Sequence, residues 1–262
     1  MATSSSTLAR PAMAVPESWW SEVNAVFTKD LRSELRTKAA LGSILAFSFT
    51  AVVLLSQLVV TVGLGLTSGL VADVNAAIAA GRPILENAPT QAQAALLSSL
   101  YWIILYFSAM AGLPRVFVKE EEMRTAAVLR LTARPSAVFV GKLGFNVALM
   151  VFIAFLVLPV FVFFFQPEIR NWPLLIGHLL LGSAGLASGA TILGAMVART
   201  GSHGYFMVVL GFGPLLPILI LAINGTTAAL HGSPGNNLLG LVSYLVAMVV
   251  LSAGLFERVW AD

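Results

Sequence analysis

Six long and nearly uncharged apolar runs constrain the fold of this chain more than any other feature. Each run approaches or exceeds the roughly 20 residues that a helix needs to cross the hydrocarbon core of a bilayer. Of the 262 residues, 58% are hydrophobic and 10% are charged, whereas a soluble domain carries about 25% charged residues. The runs are Leu41–Leu64, Ala95–Leu113, Val138–Phe165, Leu174–Ala198, Tyr205–Ile223 and Leu238–Phe256. The sequence therefore predicts an integral membrane protein with six spans.

These spans are predicted to be helices, because every backbone polar group in lipid must find its partner within the protein. A transmembrane β-barrel would instead show alternating hydrophobicity over about ten residues per strand. The predicted fold is all-α. A disordered tail (residues 1–16) and an amphipathic helix (17–38) precede a six-span membrane domain (39–262).

The distribution of cations predicts the orientation. Six spans place both termini on one side of the membrane. Only Arg82 and Arg170, of 15 lysines and arginines, fall in the segments on the opposite side. Since cytoplasmic loops carry the excess of lysine and arginine, both termini are predicted to be cytoplasmic.

The segment before the first span has the pattern of a membrane-surface helix. Apolar residues recur every three or four positions from Trp20 to Leu35, and most charged residues lie on the other faces. Such a helix lies in the interface, with tryptophans at headgroup level and cations toward anionic lipid. Two interpretations are open: a generic surface helix, or an elbow helix that also contacts a cytoplasmic partner. The predicted membrane-interface residues are Trp19, Trp20, Phe27, Leu31, Arg32 and Arg36.

The spans carry little catalytic or metal-binding chemistry. The chain has no cysteine, which excludes disulfides, thiolate metal sites and covalent haem attachment through CxxCH. The HExxH, GxSxG and GxxxxGK[ST] patterns are also missing. His178, His203 and His231 are scattered, so packing or surface roles are favoured, with axial haem or metal ligation by His178 as the alternative. The sequence therefore predicts a chain without enzymatic activity, metal site or resident cofactor.

Small residues and prolines in two spans predict how helices meet. Gly185 and Gly189 stand four residues apart, a spacing that lets a neighbouring helix approach closely. Pro214 and Pro217 remove helical hydrogen bonds and are predicted to kink the fifth span.

The most unusual segment is the charged connection between the second and third spans, residues 115–142. It contains "VKEEEMRTAAVLRLTARP", with three consecutive glutamates. Met123, Ala127 and Leu131 recur at four-residue spacing, which predicts a short helix across the end of the bundle. Glu120, Glu121 and Arg124 are predicted to be turned away from it. A solvated connector that obeys the positive-inside rule is the alternative. It explains the cations but not the glutamates.

Three segments resemble one family of transporter subunits. "LPRVFVKEEEMRTAAVLRLTARPSAVFVGKLGFN", from Leu113 to Asn146, is similar to the corresponding region of ABC exporter permeases, and most of all to the CcmB family of cytochrome c maturation. "FTKDLRSELRTKAAL" and the region from Leu179 to Ile220 agree with that family. The chain departs from the pattern at Arg124, where a glycine is usual, and at "TARP", where the family has Ser-Pro.

The resemblance implies a haem-export permease in the bacterial inner membrane that pairs with a separate ATPase. Two copies per complex and a further haem-handling membrane subunit are expected. ATP would bind the partner, and haem would be a handled ligand that transport or chaperone release moves onward. By analogy the charged helix would be the coupling helix seated on the ATPase. Its contact residues would be Glu120, Glu121, Glu122, Met123, Arg124, Thr125, Leu129 and Leu131.

Two other functions remain open at this point. One is a permease of the same fold that exports a lipid, a glycan or a drug, since fold alone does not fix substrate choice. The other is a membrane anchor for an ATPase that remodels a partner without transport.

Overall fold

The computed structural model describes residues 18–38, 41–59, 88–122, 125, 129, 131–200, 205–233 and 238–261, and its described elements are helices. The predicted tail at residues 1–16 lies outside this part of the chain. The helices are α1 (Trp19–Thr37), α2 (Leu41–Val59), α3 (Ala88–Gly112), α4 (Arg115–Glu122), α5 (Pro135–Phe165), α6 (Trp172–Thr200), α7 (Tyr205–His231) and α8 (Leu238–Ala261). Six of them, all but α1 and α4, are long and apolar enough to cross a membrane.

Helix α6 is the centre of the bundle, and it contacts α3, α4, α5, α7 and α8. The small residues of α6 allow this central position, because they let several neighbouring helices pack closely against it. Helix α3 packs on α7, and α1 lies along the first turns of α5. Helix α2 meets α3 through a hydrogen bond of 2.8 Å between the Ser48 and Ser108 hydroxyls.

The two ends of the bundle differ. The ring of Phe256 on α8 contacts the rings of Phe117 on α4 and Phe139 on α5, which brings the last turns of α8 beside α4 and the start of α5. We call this end, which also carries α1, the charged end. At the far end, Arg170 between α5 and α6 donates a hydrogen bond of 3.0 Å to the carbonyl of His231 on α7.

The outer faces of the spans are apolar, as lipid contact requires. Phe163 on α5, Val250 on α8 and Leu54 on α2 are among the large exposed hydrophobic residues. Helix α8 is mostly exposed and α6 is mostly buried, so the bundle has one central helix and a lipid-facing periphery.

The six predicted spans are confirmed, with changes at their ends. The fifth extends to His231, beyond its predicted end at Ile223. The apolar run ends near Ile223, but the small polar residues that follow continue the helix. Thr226 accepts a hydrogen bond from the Trp102 indole at 2.9 Å, and the Thr227 hydroxyl donates to the Ile223 carbonyl at 2.8 Å. Hydropathy therefore underestimates a helix whose end is held by buried polar contacts.

Helix α7 packs against the glycines of α6. A Cβ placed on Gly185 would lie 1.5 Å from Ile218 Cδ1, and one on Gly189 would lie 2.3 Å from Leu215 Cδ2. Both prolines lie inside α7, and the Tyr244 hydroxyl of α8 donates to the Pro214 carbonyl at 2.5 Å. The small-residue face of α6 thus accommodates the proline-containing segment of α7.

Candidate functional site

Four charged side chains meet at the charged end of the bundle and form a closed cycle. Lys142 Nζ of α5 lies 3.2 Å from Asp30 Oδ2 of α1 and 3.0 Å from Glu120 Oε2 of α4. Lys29 Nζ of α1 lies 3.3 Å from Asp30 Oδ1 and also contacts Glu120 Oε1. Each lysine contacts both carboxylates. We call Lys29, Asp30, Glu120 and Lys142 the charge ring.

Three of the four members of the charge ring are buried, and the Lys29 side chain is 47% exposed. Lys142 is 0% exposed, and Asp30 and Glu120 are 8% and 7% exposed. The Lys142 ammonium also donates to the Val116 carbonyl at 3.2 Å and lies 4.9 Å from the centroid of the Phe117 ring. A buried ammonium is costly unless charges and hydrogen bonds compensate it, and the two carboxylates and the carbonyl supply that compensation here.

Burial and pairing act on the Lys29 pKa in opposite directions. Burial lowers the pKa, but the neighbouring carboxylates of Asp30 and Glu120 outweigh it, so the pKa is raised above its ordinary value of 10.5. Lys29 therefore stays charged at neutral pH. With two cations and two anions, the ring is neutral overall, as its burial favours.

An apolar cluster at the same end brings five helices together. Its buried members are Val26 of α1, Phe117 of α4, Val138 and Phe139 of α5, Ile192 and Ala195 of α6, and Phe256 of α8. Phe117 belongs to this cluster and also faces the Lys142 ammonium. The ring is thus supported by close packing, which limits how far its members can move independently.

Helix α1 is fastened to the start of α5 by contacts that run from Trp19 to Asp30. The Trp19 indole donates to the Ser136 hydroxyl at 3.1 Å, and the Arg134 backbone N–H donates to Glu22 Oε2 at 3.0 Å. Near the middle of α1, a Cβ on Gly141 would lie 2.9 Å from the Val23 carbonyl oxygen. The absence of a side chain at Gly141 therefore allows the backbones of α1 and α5 to approach closely.

This docking divides the predicted membrane-interface residues of α1 into two groups. Trp19 and Phe27 are half-buried and face the protein. Trp20, Leu31, Arg32 and Arg36 are exposed, together with Leu35. Helix α1 is therefore an integral part of the bundle, and only its outer face stays a predicted membrane contact.

The predicted coupling residues are divided in a similar way. Glu120 was expected to turn away from the bundle, and that expectation is wrong, because Lys29 and Lys142 draw its carboxylate inward. Leu131, a predicted ATPase contact, is 88% exposed, and Thr125 is also exposed. Leu129 is half-buried and packs against the apolar cluster. Met123 and Arg124 lie outside the described residues, as do the side chains of Glu121 and Glu122.

Backbone hydrogen bonds run through the connection between α4 and α5, residues 123–134. The Thr125 N–H donates to the Glu120 carbonyl at 3.0 Å, and the N–H groups of Leu129 and Ala133 donate to the carbonyls four residues earlier. Arg134 then adopts an extended conformation, and Pro135 begins α5. The connection therefore leaves the charge ring at Glu120 and returns to α1 at Arg134, where the guanidinium Nε lies 3.6 Å from Glu22 Oε1.

The surroundings of His178 leave no room for a metal or haem. Its Nδ1 lies 2.9 Å from the Leu174 carbonyl oxygen, and its ring is fully buried. Nε2 faces α7 so closely that a Cβ on Gly225 would lie 1.7 Å from it. His178 is thus a packing residue in this structure.

Three members of the charge ring were missed from the sequence. Lys142 was counted only as an orientation signal, although an ionisable residue within an apolar helix is a functional candidate by default. Asp30 and Lys29 lie on an amphipathic helix where charges are ordinary. The lysine in the apolar run was the one usable signal, but nothing in the pattern identified its partners 112 and 22 residues away.

The six spans, the docked amphipathic helix and the charged connection define an all-α membrane protein of the permease type. The chain belongs to the CcmB protein family, whose sequence model matches residues 87–258, more than half of the chain. This confirms the resemblance noted in the sequence. The family is one of transporter subunits for haem export and cytochrome c maturation, and it is not an enzyme family. Searches of curated proteins and of solved structures each found no significant match.

Proposed function

We propose that this chain is the transmembrane subunit of an ABC transporter complex that handles haem in cytochrome c biogenesis. A separate ATPase subunit hydrolyses ATP, and the charged end of the bundle faces it from the bacterial inner membrane, with both termini cytoplasmic. Family membership and the excess of cations at this end support the proposal. Two copies of the chain per complex and a haem-handling membrane partner complete the assembly.

The connection between α4 and α5 is the proposed ATPase contact. The observation that carries this assignment is the exposure of Leu131. This large apolar residue is 88% exposed, close in sequence to Arg134, which pairs with Glu22 of α1. Apolar anchors surrounded by polar groups are typical of interface centres. Thr125, Glu121, Glu122, Met123 and Arg124 are the proposed neighbouring contacts, and Leu129 supports the connection from within.

Two cavities lined by described residues are small. One cavity at the far end, lined by residues that include Gln93, Glu168 and Arg170, has a volume of about 190 Å³. A second, between α2 and α5, has a volume of about 150 Å³. Both are smaller than the ~300 Å³ at which ligand pockets usually begin. Neither of these two cavities encloses a molecule as large as haem.

The proposal is tested by affinity purification of the tagged chain in mild detergent, with the co-purifying proteins identified by mass spectrometry. We expect a P-loop ATPase and a partner with a tryptophan-rich haem motif. Leu131→Glu should reduce recovery of the ATPase, because a charge replaces an apolar anchor, whereas Leu131→Met should retain it. Recovery of the intact chain without any ATPase, under conditions that preserve other complexes, contradicts the proposed function.

A further inference from the structure

The charge ring joins three helices, α1, α4 and α5. Of its four ion pairs, Lys29–Asp30 lies within α1, and the other three cross between helices. They link α1 to α4, α1 to α5 and α4 to α5. Glu120 takes part in two of them, and it lies three residues before the first residue of the connection that leaves α4.

We propose that Lys142 is a positioning residue that makes α1, α4 and the start of α5 move as one body, so that displacement of the connection is transmitted to α5 and to α1 together. This inference rests on the proposed ATPase contact, since it states how motion imposed there reaches the spans. The ring sets the position of Glu120, and through it the start of the connection.

Burial supports a mechanical role for the ring over simple stabilisation. A buried ion pair contributes little net stability compared with apolar residues of similar size, because desolvation offsets the attraction. The paired side chains must nevertheless keep their relative positions, because separating the helices would leave charges unpaired in a poorly solvated site. A ring of alternating charges therefore tolerates motion of the three helices as a unit and opposes motion of one against another.

A second contact links the same two helices, α1 and α4, beside the charge ring. Lys119 Nζ donates to the Ser33 hydroxyl at 2.6 Å, one turn along α1 from Lys29. The salt bridge of Arg134 to Glu22 fixes the other end of the connection to α1. Both ends of the connection between α4 and α5 therefore contact α1.

The decisive variant removes the links between helices without unbalancing the charge. The double variant Glu120→Met/Lys142→Met deletes one anion and one cation, abolishes all three interhelical ion pairs and leaves Lys29 paired with Asp30 on α1. We expect it to fold, since apolar residues replace a buried pair. The single variant Lys142→Met leaves two buried carboxylates and one lysine, and we expect its Tm to fall by about 10 °C.

The first measurement uses the chain alone. In the cysteine-free background, Ser33→Cys and Lys119→Cys are joined by a short bis-maleimide, and the crosslinking yield reports how often α1 and α4 are adjacent. We expect a high yield with the ring intact and a clear loss in the double variant. An unchanged yield overturns the inference, whatever the outcome with the ATPase.

The second measurement uses the complex with its ATPase. Stimulation of ATP hydrolysis by the membrane subunit should fall to the level of the ATPase alone in the double variant, although the ATPase still co-purifies. Crosslinking residues 33 and 119 in that variant should restore stimulation, which a merely structural role would not do. Retained stimulation in the uncrosslinked variant overturns the inference. Failure of the wild-type chain to bind an ATPase instead contradicts the proposed function.

Discussion

Substitution of Gly141 tests whether α1 is held by close backbone contact with α5. An alanine Cβ at this position would lie 2.8 Å from Val26 Cβ and 2.9 Å from the Val23 carbonyl oxygen. Both atoms belong to the body of α1, so rotation of a flexible side chain cannot relieve the overlap. Helix α1 has to move away from α5.

Gly144 provides the matched control, one turn further along α5. A Cβ there would meet Phe27 Cδ2 at 3.6 Å, an ordinary van der Waals distance. Both alanines gain about 1 kcal/mol of helix propensity, which cancels when the two variants are compared. Overpacking typically costs about 1–3 kcal/mol. We therefore expect α1 docking to be about 1–3 kcal/mol weaker in Gly141→Ala than in Gly144→Ala.

The assay is maleimide labelling of Val26→Cys, a buried position on α1 in a chain without native cysteine. This substitution keeps the Cβ of residue 26 and the Val23 carbonyl, so the overlap with the alanine methyl group introduced by Gly141→Ala persists. A difference of about 1–3 kcal/mol corresponds to labelling about 5- to 150-fold faster in the Gly141→Ala background. Equal labelling rates in the two glycine variants would refute the close-contact explanation of α1 docking.

Two further predictions concern polar contacts. The pKa of Lys29 is raised, so its contribution to stability is complete below pH 10.5 and is lost as pH rises through the folded-state value. The Tm difference between wild type and Lys29→Met should thus be constant from pH 7 to about 10 and shrink above it; shrinkage near neutral pH would contradict this. Thr226→Val leaves the buried Trp102 N–H without its acceptor and should cost about 1–3 kcal/mol in the free energy of unfolding. Thr227→Val, which loses a bond within its own helix, should cost less, and equal losses in denaturant titration would argue against the Trp102 contact.

Hydropathy was a reliable guide to the spans because the membrane imposes its requirement on each span separately. A run such as Leu174 to Ala198 has to satisfy its own backbone and present apolar surface, whatever its neighbours are. Helix ends were predicted less well. The end of α7 depends on the contact between Thr226 and Trp102, which joins residues 124 positions apart and leaves no periodic signal.

The candidate site shows the limit of periodicity in a different way. The four-residue spacing of Met123, Ala127 and Leu131 suggested an apolar stripe with Glu120 and Glu121 turned away from the bundle. Glu120 is buried, because the fully buried Lys142 ammonium takes Glu120 and Asp30 as its partners. Leu131 is exposed. Spacing reports which residues share a face of a helix, but electrostatic compensation across helices decided which face turned inward.

The sequence by itself determined the class of this protein: a membrane bundle of six helices, with a charged connection and a basic amphipathic segment, in the CcmB family. Each of these properties follows from local composition, length or order along the chain. Tertiary structure alone decided that Lys29, Asp30, Glu120 and Lys142 form one ring, and that α1 is docked on α5 and not free in the interface. The physical reason is that a buried charge is satisfied by whichever opposite charges the packing brings within contact distance, and partners 91 and 112 residues apart are selected only when the helices assemble.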